Sequence, residues 1–132
     1  MQIDIDPRSE VPLYQQLRDR IVEAVADGSL PAGTPLASVR HLASAFGINL
    51  ATVAKGYDLL RQEGIVRTNR RSGSVIARDA ASGPPAAGFA DAWRPRLRTL
   101  VAEATAQGMD DDAIAAAVAD ELHRLHPPKG TR

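Results

Sequence analysis

The chain has 132 residues, with 16 basic and 16 acidic side chains and a hydrophobic content of 44%. Because only five of its residues are aromatic, a large aromatic-lined ligand pocket is disfavoured. Cysteine is absent, which excludes disulfides, thiol catalysis and zinc–thiolate sites. The acidic N-terminus does not resemble a signal peptide and no stretch approaches ~20 apolar residues, so we predict a cytoplasmic protein without a membrane partner.

The balanced total charge conceals an uneven distribution along the chain. Residues 40–78 hold seven basic and two acidic side chains, whereas residues 1–39 and 79–132 are each net acidic. Attraction to phosphate requires a basic face rather than a basic chain. The middle of the chain is therefore where we expect a contact with nucleic acid.

The first 35 residues predict an arm, a helix and a stiff loop. Ile3 and Ile5 alternate with polar residues, which suits either a short strand or an arm laid on the body. Pro12 is well placed in the first turn of a helix that ends at Gly28. The apolar stripe of this helix consists of Leu13, Leu17, Ile21, Ala24 and Val25. The loop at 30–35 contains two prolines and a glycine, so it is not expected to be helical.

Residues 36–63 contain two short helical patterns on either side of Gly47. Ser38 is a suitable N-cap for the first helix, and Gly47 lies where a helix ends in a left-handed residue. Asn49 can cap the second helix, whose outward face is mostly polar. The apolar stripe of the second helix consists of Val53, Tyr57 and Leu60. This pattern predicts a helix-turn-helix with its second helix in the DNA major groove. The alternative is an ordinary pair of antiparallel helices within a core.

A hairpin with a basic tip is predicted after the second of these helices. Residues 65–68 and 74–77 are strand-like, and the turn at 69–73 carries Arg70 and Arg71. A helix-turn-helix followed by such a hairpin is typical of a winged helix. The two arginines could reach phosphates or the adjacent minor groove, where the negative potential attracts arginine. The alternative for them is a solvated turn.

Residues 79–88 have the composition of a linker, and residues 89–126 predict two helices. Since Pro95 belongs near a first turn, we expect the regular part of the first tail helix to begin around Arg94. Asp110 caps the second helix. Two helices this short cannot bury their apolar faces on each other alone, so a second copy of the chain is the expected partner. Docking onto the chain's own winged helix is the alternative. The residues expected to build the dimer are Trp93, Leu97, Leu100, Val101, Ile114, Val118, Leu122 and Leu125.

Residues 11–77 resemble the GntR-type bacterial transcription regulators. The similar segments are the opening of the first helix at 12–17, a GxLxPGxxL-like loop at 28–36, an SxRxLA-like segment at 38–43 and the recognition helix with its exit at 52–64. The short two-helix tail resembles the YtrA-like subfamily. The resemblance implies that Arg40 contacts DNA, that Thr52 and its neighbours face the groove, and that the wing tip at Gly73 approaches the backbone or minor groove.

The recognition helix departs from the family pattern at its first residues. Much of the family has Ser-Arg where this chain has Asn49 and Leu50, and that arginine reads a base. Leu50 cannot make the bidentate contact of arginine with guanine, which is worth ~1–3 kcal/mol of discrimination. We therefore expect a different operator, in which Leu50 touches a thymine methyl group and Asn49 either pairs with adenine or serves only as a cap.

Other combinations of reactive residues favour no catalytic or metal site. His123 and His126 share one face of a helix, but no third ligand is evident, and a solvated face is favoured. The sequence has no glycine-rich phosphate loop, and nothing orients its Ser, His and Asp residues as a triad. We therefore predict no enzyme, no cofactor and no metal.

The predicted fold is mainly α with a small β-hairpin wing. It comprises a winged helix-turn-helix at 1–78, a linker at 79–88, a two-helix dimerisation or effector tail at 89–126 and a disordered C-terminus at 127–132. The predicted function is a homodimeric, sequence-specific transcriptional repressor that binds a two-fold operator in double-stranded DNA. The predicted DNA-binding residues are Ser38, Arg40, His41, Asn49, Leu50, Thr52, Lys55, Arg70, Arg71 and Gly73. The alternatives are a winged-helix protein-interaction module, or a regulator whose tail senses a small-molecule or metal effector.

Overall fold

The computed structural model describes residues 3–126, and the chain divides into two units between Ser82 and Gly83. The first unit contains α1 (Leu13–Ala26), α2 (Val39–Phe46), α3 (Leu50–Gln62), β1 (Val66–Asn69) and β2 (Gly73–Ile76). The second unit contains α4 (Phe89–Ala106) and α5 (Asp111–Leu125). The predicted fold class, mainly α with one small hairpin, is confirmed. Among the described residues, no helix has the length and apolarity needed to cross a membrane.

Local caps determine where α2 and α3 begin. Ser38 Oγ accepts the backbone N–H of His41 at 3.1 Å, and Asn49 Oδ1 accepts that of Ala51 at 2.7 Å. Gly47 has a φ of 65°, the left-handed conformation that ends α2 and turns the chain into α3. The helix-turn-helix is therefore built where the sequence predicted it.

We call the first unit, with its three helices and hairpin, the winged unit. Its core lies between α1, α3 and the hairpin. Its largest fully buried side chains are those of Leu17, Ile21, Val53, Tyr57, Leu60 and Ile76. α1 and α3 approach closely at Gly56, where an added Cβ would lie 3.1 Å from Leu17 Cδ2 and 3.2 Å from the carbonyl oxygen of Tyr14. Glycine inside a helix costs roughly 0.5–1 kcal/mol relative to alanine. Here it permits the close packing of the two helices.

The N-terminal segment is an arm, because a buried amide holds it in place. Gln16 Oε1 accepts the N–H of Asp6 at 2.7 Å, and Gln16 Nε2 donates to the carbonyl oxygens of Asp6 and Val11 at 2.9 and 2.7 Å. Ile3 is buried in the core and Ile5 packs against it. The two isoleucines therefore share an apolar face without pairing as a strand within residues 3–6.

The hairpin turn is shorter than predicted. β1 ends one residue later and β2 begins one residue earlier than expected, so the turn covers only residues 70–72. Asn69 Oδ1 accepts the N–H groups of Arg71 at 3.0 Å and Ser72 at 2.7 Å, which closes this turn. Gly73 adopts a φ of 68° and pairs as the first residue of β2.

The loop before α2 pairs with the other edge of β2. The N–H of Leu36 donates to the carbonyl oxygen of Ser74 at 2.8 Å, and the N–H of Ile76 donates to that of Thr34 at 2.9 Å. Pro35 lies between these two bonds, at a position where strand pairing requires no N–H. β2 is thus held on both sides, whereas β1 remains the edge strand.

The winged unit extends to Ser82 because Asp79 folds back onto the loop between α1 and α2. One carboxylate oxygen of Asp79 accepts the N–H of Ala32 at 2.8 Å, and the other accepts the N–H of Ala81 at 2.9 Å. The hydrogen bond from Ala32 is the main reason that the pKa of Asp79 lies below its usual range. The first residues of the 79–88 segment are therefore anchored to the winged unit.

The first tail helix begins at Phe89, so the prediction that its regular part starts around Arg94 is wrong. Pro95 lies inside α4 and removes only the one N–H that would donate to the carbonyl oxygen of Asp91. Phe89 and Trp93 are one turn apart and extend the apolar stripe in front of the proline. The helix therefore continues on both sides of Pro95.

The apolar side chains of the tail remain accessible. Asp110 Oδ1 accepts the N–H of Ala113 at 2.8 Å and caps α5 as predicted. No side chain of α4 or α5 is buried, and Leu100 and Leu122 are 62% and 56% exposed. The predicted disorder of 127–132 lies outside the described residues.

Candidate nucleic-acid interface

The first turns of α2 and α3 present three of the ten predicted contact residues to solvent. Arg40 and His41 are exposed at the start of α2, Leu50 is 44% exposed at the start of α3, and Thr52 is half-buried. The side-chain oxygens of the two predicted residues that precede these helices, Ser38 and Asn49, are engaged as caps. Capping thus accounts for the presence of Ser38 and Asn49. The exposed side chains that follow them in the first turns of α2 and α3 can contact a ligand.

A buried tyrosine holds α2 against α3. Tyr57 Oη donates to the carbonyl oxygen of Ala37 at 2.6 Å, directly before the Ser38 cap. Tyr57 is fully buried, and burial raises its pKa to about 12. The bond joins the middle of α3 to the start of α2. It therefore fixes the turn that carries Arg40 relative to the recognition helix.

The ammonium group of Lys55 is held by an aromatic ring of α1. Lys55 Nζ lies 3.9 Å from the ring centroid of Tyr14, and Lys55 is exposed. Such a cation–π contact contributes roughly 0.5–1 kcal/mol at an exposed site. Tyr14 was not among the predicted site residues, because the two side chains belong to different helices and no local pattern joins them. Tyr14 is therefore a neighbour of Lys55, which is one of the predicted DNA-contacting residues.

The wing tip carries two arginines without acidic partners. Arg70 and Arg71 are exposed in the turn that Asn69 closes. Among residues 3–126, neither guanidinium group has a hydrogen-bond or ion-pair partner, and the same holds for Arg40. Three predicted contact residues are therefore uncompensated charges that can pair with phosphate.

The histidines and carboxylates do not form a metal site in the part of the chain that the structure describes. No three of these side chains lie close enough together to hold a metal ion. His123 lies in the last turn of α5, and His126 follows that helix as its C-cap. Arg40, Arg70 and Arg71 therefore remain the main chemical feature of the predicted site.

The winged unit matches a known protein family. The profile of the bacterial regulatory proteins of the gntR family covers residues 13–76. This range begins with α1 and ends at the last residue of β2. The match therefore spans the three helices and the wing described above.

Two curated relatives are similar over the same region. The HTH-type transcriptional regulator Rv1152 of Mycobacterium tuberculosis is 40% identical over 74 residues, which is 56% of this chain and 61% of that protein. The HTH-type transcriptional repressor YtrA of Bacillus subtilis is 41% identical over 78 residues, which is 59% of this chain and 60% of that protein. The matched region thus spans about three-fifths of each relative.

Two solved structures are similar over more of the chain. A transcriptional antiterminator from Listeria monocytogenes EGD-e, at 23% identity, has a TM-score of 0.87 over 100% of this chain and 98% of its own, which supports the fold alone. YtrA from Sulfolobus acidocaldarius, a GntR-family transcription factor, is 35% identical, with a TM-score of 0.61 over 79% of this chain and 97% of its own. The chain therefore belongs to the GntR family of bacterial regulatory proteins, and it resembles the YtrA-like members of that family.

Proposed function

We propose that this regulator is a homodimeric transcriptional repressor that binds a two-fold operator in double-stranded DNA. The observation that carries the proposal is the combination, in one unit, of a capped recognition helix and a wing with uncompensated arginines. The first turn of α3 would enter the major groove, while Arg40 from α2 and the wing tip would neutralise phosphates. Phosphate contacts position the protein, and base contacts specify the sequence.

The start of α3 supports a base preference without the arginine–guanine contact. Leu50 is 44% exposed and can contact the methyl group of thymine. Asn49 already accepts the N–H of Ala51, so we assign it chiefly to capping. We therefore expect thymine, rather than guanine, at the base pair that Leu50 meets in each half-site.

The tail supports the dimer. α4 and α5 leave Trp93 43%, Leu100 62% and Leu122 56% exposed, although these side chains recur at helical spacing. Exposed apolar surface of this kind marks an interaction site, and closed two-fold dimers are the commonest oligomers. A dimer would offer two winged units to two half-sites. The repressor role is supported by the B. subtilis relative, which is named a repressor.

Selection from a pool of random DNA duplexes tests the proposal. The full chain should enrich a two-fold symmetric sequence. Arg40→Ala should then bind the enriched duplex roughly 10-fold or more weakly, because a charge-assisted hydrogen bond is worth ~1.5–3 kcal/mol. Arg96→Ala, which removes one exposed charge from α4, is the matched control and should bind like the wild type. Failure to enrich any sequence, or an equal loss in both variants, would contradict the proposal.

A further inference from the structure

A chain of polar contacts joins the recognition helix to the wing. Arg61 lies in the last turn of α3, where its Nη2 donates to the Asp58 carboxylate and its Nη1 donates to Thr68 Oγ1 at 3.0 Å. Thr68 Oγ1 in turn lies 2.8 Å from Ser74 Oγ on the opposite strand. These four side chains, which we call the Arg61 link, run from α3 across β1 to β2.

The Arg61 link lies at the point where the wing leaves the core. Thr68 and Ser74 are cross-strand partners, and the next pair on the same face is Val66 with Ile76. Val66 and Ile76 are buried in the core, whereas Thr68 is exposed and Ser74 is half-buried. The link therefore holds the wing directly beyond its last apolar contact.

On the β1 side, few other contacts restrain this part of the wing. The loop before α2 pairs with β2 as far as Ser74, but β1 is the edge strand. The turn at 70–72 is closed by Asn69 from within the wing itself. This turn lies about 7–10 Å beyond the Thr68–Ser74 pair, at ~3.4 Å per residue. A small tilt at the pair is therefore amplified at Arg70 and Arg71.

Arg61 differs from the arginines of the wing tip because its guanidinium group has partners within the chain. Its side chain is 34% exposed and its guanidinium group is engaged by Asp58 and Thr68. Arg70 and Arg71 have no such partners among the described residues. The geometry assigns Arg61 to holding the wing rather than to contacting phosphate.

We propose that Arg61 is a positioning residue that sets the angle of the wing against α3, so that the recognition helix and the wing tip engage one DNA site together. This inference rests on the proposed function, because it requires both elements to touch DNA. Charge-assisted hydrogen bonds need defined geometry, so misplacing the tip weakens its phosphate contacts. An ion pair as exposed as that between Asp58 and Arg61 contributes little to overall stability. Its loss should therefore appear in DNA binding rather than in the melting temperature.

Substitution of Thr68 tests the inference without altering Arg61. Thr68→Val removes the hydroxyl group and keeps a β-branched side chain, whereas Thr68→Ser keeps the hydroxyl group. We expect Thr68→Val to bind the selected operator about 3- to 10-fold more weakly and Thr68→Ser to bind like the wild type, with all three melting at similar temperatures. In a chain that also carries Arg70→Ala and Arg71→Ala, Thr68→Val should change affinity less than about 2-fold, since no tip charge is left to position.

Nuclear magnetic resonance relaxation of the backbone amides gives a second readout. Thr68→Val should raise the mobility of residues 67–75 and leave α1 unchanged. Equal losses of affinity with and without the tip arginines, equal binding by the Val and Ser variants, or unchanged wing mobility would overturn the inference. So would wild-type binding by Thr68→Val together with a reduced salt dependence in Arg61→Leu, which would make Arg61 a phosphate contact. Loss of the proposed function itself would look different, because Arg40→Ala and the tip variants would then bind DNA as the wild type does.

Discussion

Tyr57 illustrates how one buried hydroxyl group can orient a surface. Its ring lies in the core, but its Oη donates to the carbonyl oxygen that precedes the α2 cap. An unpaired buried carbonyl costs more than an ordinary hydrogen bond contributes. The hydroxyl group is therefore expected to matter both for stability and for the placement of Arg40.

Tyr57→Phe keeps the ring and leaves the carbonyl oxygen of Ala37 without its donor. We expect the free energy of unfolding at neutral pH to fall by about 1–2 kcal/mol. Since the pKa of Tyr57 rises from 10.0 to about 12 on folding, the unfolded chain loses this proton first as the pH rises between those values. Stability should therefore decline with pH across that window, and less steeply in the variant. Urea unfolding followed by circular dichroism measures both effects.

Tyr14→Phe is the matched control, because it retains the ring beneath Lys55 and leaves Tyr57 intact. It should keep the pH dependence of the wild type above pH 10. Identical pH profiles for the two variants would refute the role of the Tyr57 hydroxyl group.

Single residues whose partners are close in sequence were predictable. Ser38, Asn49 and Asp110 each cap a helix through an N–H two or three residues ahead, and Gly47 ends α2 in the expected conformation. A capping residue requires only its own side chain and the next turn of backbone. The hydrogen bonds of Gln16 were not predicted, because its partners Asp6 and Val11 lie across a turn in the N-terminal arm.

At the scale of elements, the winged unit depends on the close approach of α1 and α3. Gly56 permits that approach, and Arg18 of α1 donates from its Nε to the Glu63 carboxylate at 3.0 Å, beside the end of α3. The hydrogen bond to Glu63 is the main cause that raises the pKa of Arg18. The recognition helix is thus held by apolar packing in its middle and by an ion pair at its end.

Gly56→Val tests this packing, because its side chain would press on Leu17 and on the backbone of Tyr14. We expect the free energy of unfolding to fall by about 1–3 kcal/mol, the usual cost of overpacking. Ala51→Val adds a β-branched side chain at an exposed position of the same helix and should cost less than about 0.7 kcal/mol. Helix propensity alone would make Gly56→Val slightly more stable, because valine is a better helix former than glycine. Urea midpoints of the two variants give the comparison, and a Gly56→Val variant as stable as the wild type would contradict the packing constraint.

Elements that depend on contacts between distant residues were less predictable. The helices followed from apolar spacing and the hairpin from its turn, but each strand was misplaced by one residue. The pairing of β2 with the loop that contains Pro35 joins segments about 40 residues apart, and no local pattern encodes it. The start of α4 was also missed, since a helix can tolerate the one hydrogen bond that Pro95 removes.

At the scale of the whole molecule, the candidate site was largely predictable in outline. The basic hairpin tip indicated Arg70 and Arg71, and the resemblance to the GntR-type regulators implied Arg40. The structure leaves all three uncompensated among the described residues. The Tyr14 ring and the Arg61 link were not predictable, because both join different elements. The tail leaves its apolar face open, which is why the proposed assembly includes a second copy.

Titration of the selected operator with the full chain, followed by fluorescence anisotropy, tests the central claim most directly. The wild type should saturate at two chains per duplex, with an affinity that falls steeply as salt rises. Leu122→Glu alters a tail leucine that is 56% exposed, so it should spare the fold but weaken binding by roughly 10- to 100-fold, because each half-site is then bound alone. Ala116→Glu, on another face of α5, should bind like the wild type. Saturation at one chain per duplex, or the absence of any salt-sensitive complex, would contradict the account.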